Sequence, residues 1–344
     1  MTTSRRTILT GFGLAGFGLA SGGLATRPAA AQAAVKPLIL RAAAPSLTTA
    51  VQLTMLAKQL DKAHGIGVDM QAGGTSSTIT VDAVINGQAD FGSPGTADAM
   101  QAIRAGAPLR IIAAVCNNLQ TMVINNNTLK RIGVSPEAPI ADRVHALKGL
   151  TVATGAVGST HYQILRAYLK QYGVDPDKDL RLVGLGETSA LISGLEQGRF
   201  DAIAYASGVV ELSVVSNVGT VWISGPRGEI SKTDDVKTCV IIAHADTVEK
   251  RRADVDALRA ALADALRAVN EDHAATGAIL RPAYFPKLDQ KVWDLAWNSA
   301  TKSYPTSLVY SRAAFDYWVQ NDSKGDDSYK GVDYAKVTYG PAQA

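Results

Sequence analysis

Hydroxyl-bearing residues recur in glycine- and proline-containing turns of this sequence. Ser46 follows Pro45; Thr75, Ser76 and Ser77 follow Gly74; Ser93 and Thr96 flank a Pro-Gly pair; Ser159 and Thr160 follow Gly158; Ser207 precedes a glycine. Most of these turns lead into residues with helical apolar spacing, so the hydroxyls stand at expected helix starts. A helix start presents unpaired N–H groups and a partial positive charge, which suit an anion or a carbonyl oxygen. Singly, each hydroxyl is accounted for by N-capping. Clustered at equivalent turns, they are candidates for the wall of a ligand cleft. Asn117, His161 and Glu187 complete the set. His161 either donates to an anion or serves structure. Glu187 either accepts from a ligand N–H or favours its own helix start.

No catalytic arrangement accompanies these residues. The sequence beyond residue 33 holds no G-x-S-x-G elbow, no H-E-x-x-H and no Walker A loop. The two cysteines, Cys116 and Cys239, lie in separate apolar runs without a Cys/His cluster, so no metal site and no cofactor are expected. They are read as buried free thiols, with a disulfide permitted in an oxidising compartment.

The positioning elements are clearest at residues 73–98: glycine turn, helix with Val81, Val84 and Ile85 on one face, Gly87, a short strand at residues 89–92, then a turn into a second helix. The pattern returns at residues 184–204, where Gly198 answers Gly87 and Asp201 answers Asp90. Both offsets are 111 residues (198 − 87 and 201 − 90). Strand, helix, strand, helix and strand recur in the same order, which predicts two similar lobes. In parallel sheets such turns gather at the carboxyl edge, where ligands bind.

The first residues read as a targeting segment. Arg5 and Arg6 precede a glycine-rich apolar run, and Ala31, Gln32 and Ala33 fit a small-x-small cleavage site. This predicts twin-arginine export with cleavage after Ala33. The G-x-G-x-x-G of residues 11–16 lies inside that segment and carries no nucleotide-site argument. Arg5, Arg6 and Arg27 account for the whole formal charge of +3, so residues 34–344 are neutral and carry no electrostatic signature of nucleic-acid binding. The expected lobes are residues 34–124 with 225–344, and residues 125–224, the polar stretch 126–144 being the first crossing. A long amphipathic helix carries Val255, Leu258, Leu262, Leu266 and Val269, and Trp293, Trp297 and Trp318 are expected in the core.

The run GGTSS at residues 73–77, NGQAD at 86–90, the turn at 93–96 and the late amphipathic helix resemble the nitrate/sulfonate/taurine group of solute-binding proteins of ABC importers. The resemblance implies an α/β type II periplasmic binding protein fold: two lobes, each a mostly parallel sheet flanked by helices, with the ligand cleft between them. It further implies a monomer that captures a small solute in the periplasm, foremost a sulfonate-, nitrate- or carboxylate-like anion. Delivery would be to ABC permease subunits with their ATPase. The same fold resembles thiamine-pyrimidine synthases and menaquinone-pathway enzymes, and a periplasmic sensor is a third reading. The synthase's cysteine-rich run is missing.

Overall fold

The computed structural model describes residues 36–73, 77–230, 236–322 and 326–343. The export signal, the motif at residues 11–16, and Gly74, Thr75 and Ser76 lie outside the described residues.

Ten strands follow in chain order: β1 (Leu38–Ala42), β2 (Val68–Ala72), β3 (Phe91–Ser93), β4 (Leu109–Cys116), β5 (Gln120–Asn125), β6 (Thr151–Gly155), β7 (Arg181–Leu185), β8 (Ala202–Ala206), β9 (Gly219–Ser224) and β10 (Cys239–His244). They form two sheets of five, in the orders β2-β1-β3-β10-β4 and β7-β6-β8-β5-β9. Pairings β1–β2, β1–β3, β6–β7 and β6–β8 are parallel; β10 and β5 are the antiparallel strand of their respective sheets. The two orders correspond position by position, each antiparallel strand being the first strand after a crossing.

The repeat is structural down to single atoms. Asp90 Oδ2 accepts from the N–H of Ile39 at 2.7 Å, and Asp201 Oδ2 accepts from the N–H of Thr151 at 2.9 Å, so each aspartate ties the first parallel strand of its sheet to the strand it precedes. Each also meets an arginine, Arg251 for Asp90 and Arg131 for Asp201. Gly87 and Gly198 end the preceding helices at φ +68° and +67°. All four residues mark the amino ends of strands, away from any carboxyl-edge site.

Both faces of each sheet are covered, which explains strands that read as continuous apolar runs rather than alternating ones. In the first sheet, Leu40, Ile112 and Val115 face one cluster with Leu258, Leu262 and Trp297, while Ile111, Val240 and Ile242 face another with Met100, Phe315 and Trp318. The helix Arg252–Glu271 buries Val255, Leu258, Leu262, Leu266 and Val269. Trp297 donates its indole N–H to the His273 carbonyl at 2.8 Å, and Trp318 donates to the Lys237 carbonyl at 3.0 Å.

The first crossing differs from the expected one. Strand β5, expected in the first lobe, pairs with β8 and β9 in the second sheet, and every residue of it is buried. The first crossing is therefore residues 117–119. The polar stretch 126–144 instead carries the surface helices Asn126–Ile132 and Ile140–His145 of the second lobe, whose exposed faces account for its polarity. Strand β9 also belongs to the second sheet, so the chain returns between β9 and β10. Among the described residues, no helix is long and apolar enough to cross a membrane.

Candidate functional site

Between the carboxyl edges of the two sheets lies a cavity of about 270 Å³. The first lobe contributes Ala43, Thr48, Thr49, Ser77, Ser93, Asp98 and Gln101; the second contributes Gly158, Ser159, Thr160, His161 and Tyr205. Each wall is made where a strand gives way to a helix: β3 to the helix Thr96–Arg104, and β6 to the helix Thr160–Gln171. The cavity falls just below the ~300–1,000 Å³ of pockets for drug-sized ligands, which limits it to a small solute.

The structure brings together Ser77, Ser93, Gly158, Ser159, Thr160 and His161 on this cavity. The three serine hydroxyls already accept from other groups of the protein. Ser159 Oγ accepts from the N–H of Tyr162 at 3.4 Å, as an N-cap, and Ser77 Oγ accepts from the N–H of Gly95 at 3.0 Å. Ser93 Oγ takes the Gln52 amide N–H at 2.7 Å. As acceptors of these bonds, Ser77 and Ser159 retain O–H donors for a ligand oxygen, while the Ser93 hydroxyl also meets Cys239 Sγ at 3.4 Å.

The remaining candidates lie elsewhere. Pro45 is exposed, and Ser46 stands behind Thr48 and Thr49, bonded to both side chains. Thr96 is fully buried, its hydroxyl without a partner. Asn117 lies on the first crossing and accepts from Lys237 Nζ at 2.7 Å. Ser207 donates to the Leu119 carbonyl at 3.3 Å, behind the cavity. Glu187 is exposed and precedes the helix Thr188–Glu196.

Among the described residues, two bonds cross from lobe to lobe at the cavity. Thr160 Oγ1 accepts from the N–H of Ala97 at 3.1 Å, and the Gln101 side-chain amide donates to the Gly158 carbonyl at 2.8 Å. The approach is close enough that a Cβ at Gly95 would run into the Thr160 hydroxyl, so only glycine fits there.

Sequence reasoning missed Asp98, Gln101 and Tyr205. An acid in the first turn of a helix reads as dipole stabilisation and attracts no further notice. In the structure Asp98 is the sole carboxylate, and no lysine or arginine joins it, among the described residues lining the cavity. Burial pushes its pKa up to about 7, against the opposing effect of its own backbone N–H. Burial also holds His161 down to about 4, so the ring is neutral at physiological pH. Its Nδ1 is buried without a partner, and the ring lies 4.4 Å from that of Tyr205, centroid to centroid. Burial raises the Tyr205 phenol too, helped by the charges of Asp98 and Glu187. Cys239, on the cavity floor, is a free thiol raised to about 11, chiefly by burial, and pairs in register with the free Cys116 of β4. Among the described residues no cluster of three or more His, Cys, Asp or Glu could hold a metal ion.

Two corresponding sheets, two crossings and a cavity at the facing carboxyl edges define a two-lobed chain of the periplasmic binding protein fold. The chain belongs to the NMT1-like family, whose profile matches residues 40–280. Among solved structures it is similar to the alkanesulfonate-binding protein SsuA of Xanthomonas axonopodis pv. citri, bound to MOPS, at 15% identity, 90% coverage of this chain, 98% of that one and a TM-score of 0.66. The ligand-binding component of an ABC-type import system from Staphylococcus aureus matches at 14% identity, with 87% and 100% covered and a TM-score of 0.64. The periplasmic nitrate-binding protein NrtA of Synechocystis PCC 6803 matches at 18% identity, with 77% and 69% covered and a TM-score of 0.58. No curated protein matches the chain.

Proposed function

We propose that the protein is the periplasmic solute-binding component of an ABC importer, which captures a small organic solute between its lobes and passes it to a membrane permease. The observation that carries this reading is the cavity itself. It is small, and hydroxyls and helix starts from both lobes line it, so neither lobe alone supplies a complete site. The solved relatives that bind alkanesulfonate and nitrate, and the one that serves an ABC-type import system, support the same reading. An oxygen-bearing end of the solute would face the hydroxyls of Ser77, Ser159 and Thr160 and the amides beside them.

The lobes would close by rotation about residues 117–119 and the segment between β9 and β10. Thermal-shift screening against a solute library, followed by calorimetry and small-angle scattering, tests the reading. A ligand of the native state raises the melting temperature; it should also leave the protein more compact in solution. A library that stabilises nothing overturns it. Export is tested separately: replacing Arg5 and Arg6 by lysine should stop delivery to the periplasm, and the exported wild type should begin at Ala34. Undiminished export of that variant would remove the twin-arginine route from the proposal.

A further inference from the structure

Asp98 stands at the seam of the two lobes. Its helix neighbour Ala97 bonds to Thr160 across the cleft, and Gln101, one turn further along the same face, bonds to Gly158. Closure therefore brings the second lobe directly against the part of the helix that carries the carboxylate. That carboxylate has no ion pair, and no cation faces it among the described residues lining the cavity. Its titratable neighbours are the Tyr205 phenol and the Cys239 thiol, both of which feel its charge, and His161 stands on the same wall as Tyr205. All three are uncharged near neutral pH, so no described residue lining the cavity balances an ionised Asp98. Above about pH 7, where Asp98 has given up its proton, an anion placed beside it would meet a like charge in a partly desolvated space, where repulsion is strongest. A cation would complete the site.

We propose that the cleft selects a solute bearing a cationic nitrogen, an ammonium or amidinium, and that Asp98 is the residue that recognises it. This rests on the solute-binding reading above and narrows its ligand class. The helix starts remain available for an acidic end of the same molecule, so zwitterions and simple amines both qualify, whereas plain oxyanions do not.

The test uses probes that differ by the amine alone: 4-aminobutanoate against butanoate, 3-aminopropanesulfonate against propanesulfonate, and a broad set of amines, amidines and anions, screened by thermal shift on the full mature protein at pH 7.5. The expected hits carry the cationic nitrogen, and Asp98→Asn weakens them at least tenfold by calorimetry. The variant should melt no lower than wild type when ligand-free, since it removes an unpaired carboxylate. Plain anions that bind as tightly as their amine-bearing partners overturn the assignment on the wild-type protein alone, whatever the variant does. Amine hits that Asp98→Asn leaves untouched overturn the role of Asp98. Stabilisation by no compound of either class overturns the solute-binding reading together with this assignment, whereas anion-only binding overturns the assignment and leaves that reading standing.

Discussion

The hydroxyl of Thr160, on the second lobe, accepts a hydrogen bond from the backbone N–H of Ala97, on the first, at 3.1 Å. Gly95 is the N-cap of the helix Thr96–Arg104 and has no side chain to cap it. Thr160 therefore caps that helix from across the cleft, and the bond exists only while the lobes are together. Thr160→Val should cost the closed form about 0.5–2 kcal/mol, the usual worth of an N-cap. Scattering should show a more open ligand-free protein, and Thr160→Ser should restore the wild-type curve. Unchanged curves for Thr160→Val would show that the bond does not hold the lobes.

Gly95→Ala attacks the same contact by bulk. Its Cβ would collide with the Thr160 hydroxyl and come within 2.9 Å of Asp98 Oδ2. Lobe closure, and with it ligand affinity, should fall by more than in Thr160→Val. Adding Thr160→Ala to Gly95→Ala should recover part of the loss, because the two changes share one contact. Strict additivity in calorimetric affinities would count against the collision.

Asp98 and His161 should give opposite pH signatures. The native state keeps a proton on Asp98 up to about 7, whereas the unfolded chain releases it near the ordinary value of 3.8. Stability from Asp98 is thus full below that value and is lost as the pH rises through about 7. For His161 the native value is about 4 and the ordinary one 6.5, so its contribution is full above 6.5 and lost as the pH falls towards 4. The slopes oppose each other in between. Asp98→Asn should gain on wild type from about pH 4 to 7, by on the order of a few kcal/mol, and hold its advantage above that. Urea midpoints measured from pH 4 to 8 check this; parallel curves would refute it.

Asp90 and Asp201 should matter to stability and not to the ligand. Each accepts backbone and arginine donors at the amino ends of strands, on the far side of its sheet from the cavity. Replacing either by alanine should cost about 1.5–3 kcal/mol, the range for hydrogen bonds to a charged group, with ligand affinity unchanged. Burial works to raise the Asp201 pKa, but the Thr151 N–H, the Thr128 hydroxyl and Arg131 outweigh it and leave it lowered. The stabilisation from Asp201 is therefore present above the unfolded value near 3.8 and is lost as the pH falls below it. A loss of affinity in Asp201→Ala at unchanged fold would contradict this division.

Local rules were enough to read most of the architecture from the amino-acid string. The 111-residue offset of Gly87 and Asp90 from Gly198 and Asp201 announced two corresponding lobes, because a helix end and a strand tie need the same residue types wherever they occur. The apolar stripe from Val255 to Val269 announced its helix for the same reason. Six of the turn residues named from sequence line one cavity, since strand-to-helix turns of parallel sheets fall on one edge.

What the chain order leaves open is which sheet a strand joins and which partner a polar group meets. Residues 120–125 are equally apolar for either lobe; pairing with β8 and β9 decided it. Ser159 and Thr160 are adjacent hydroxyls with the same capping potential. One caps its own helix, and the other caps a helix of the opposite lobe, because only the closed arrangement sets Ala97 within its reach. Asp98 looks like any acid in a first helical turn until the fold sets it in a cavity whose described lining holds no lysine or arginine. Its raised pKa follows from desolvation by distant segments, a property of three-dimensional placement that no local pattern in the sequence encodes.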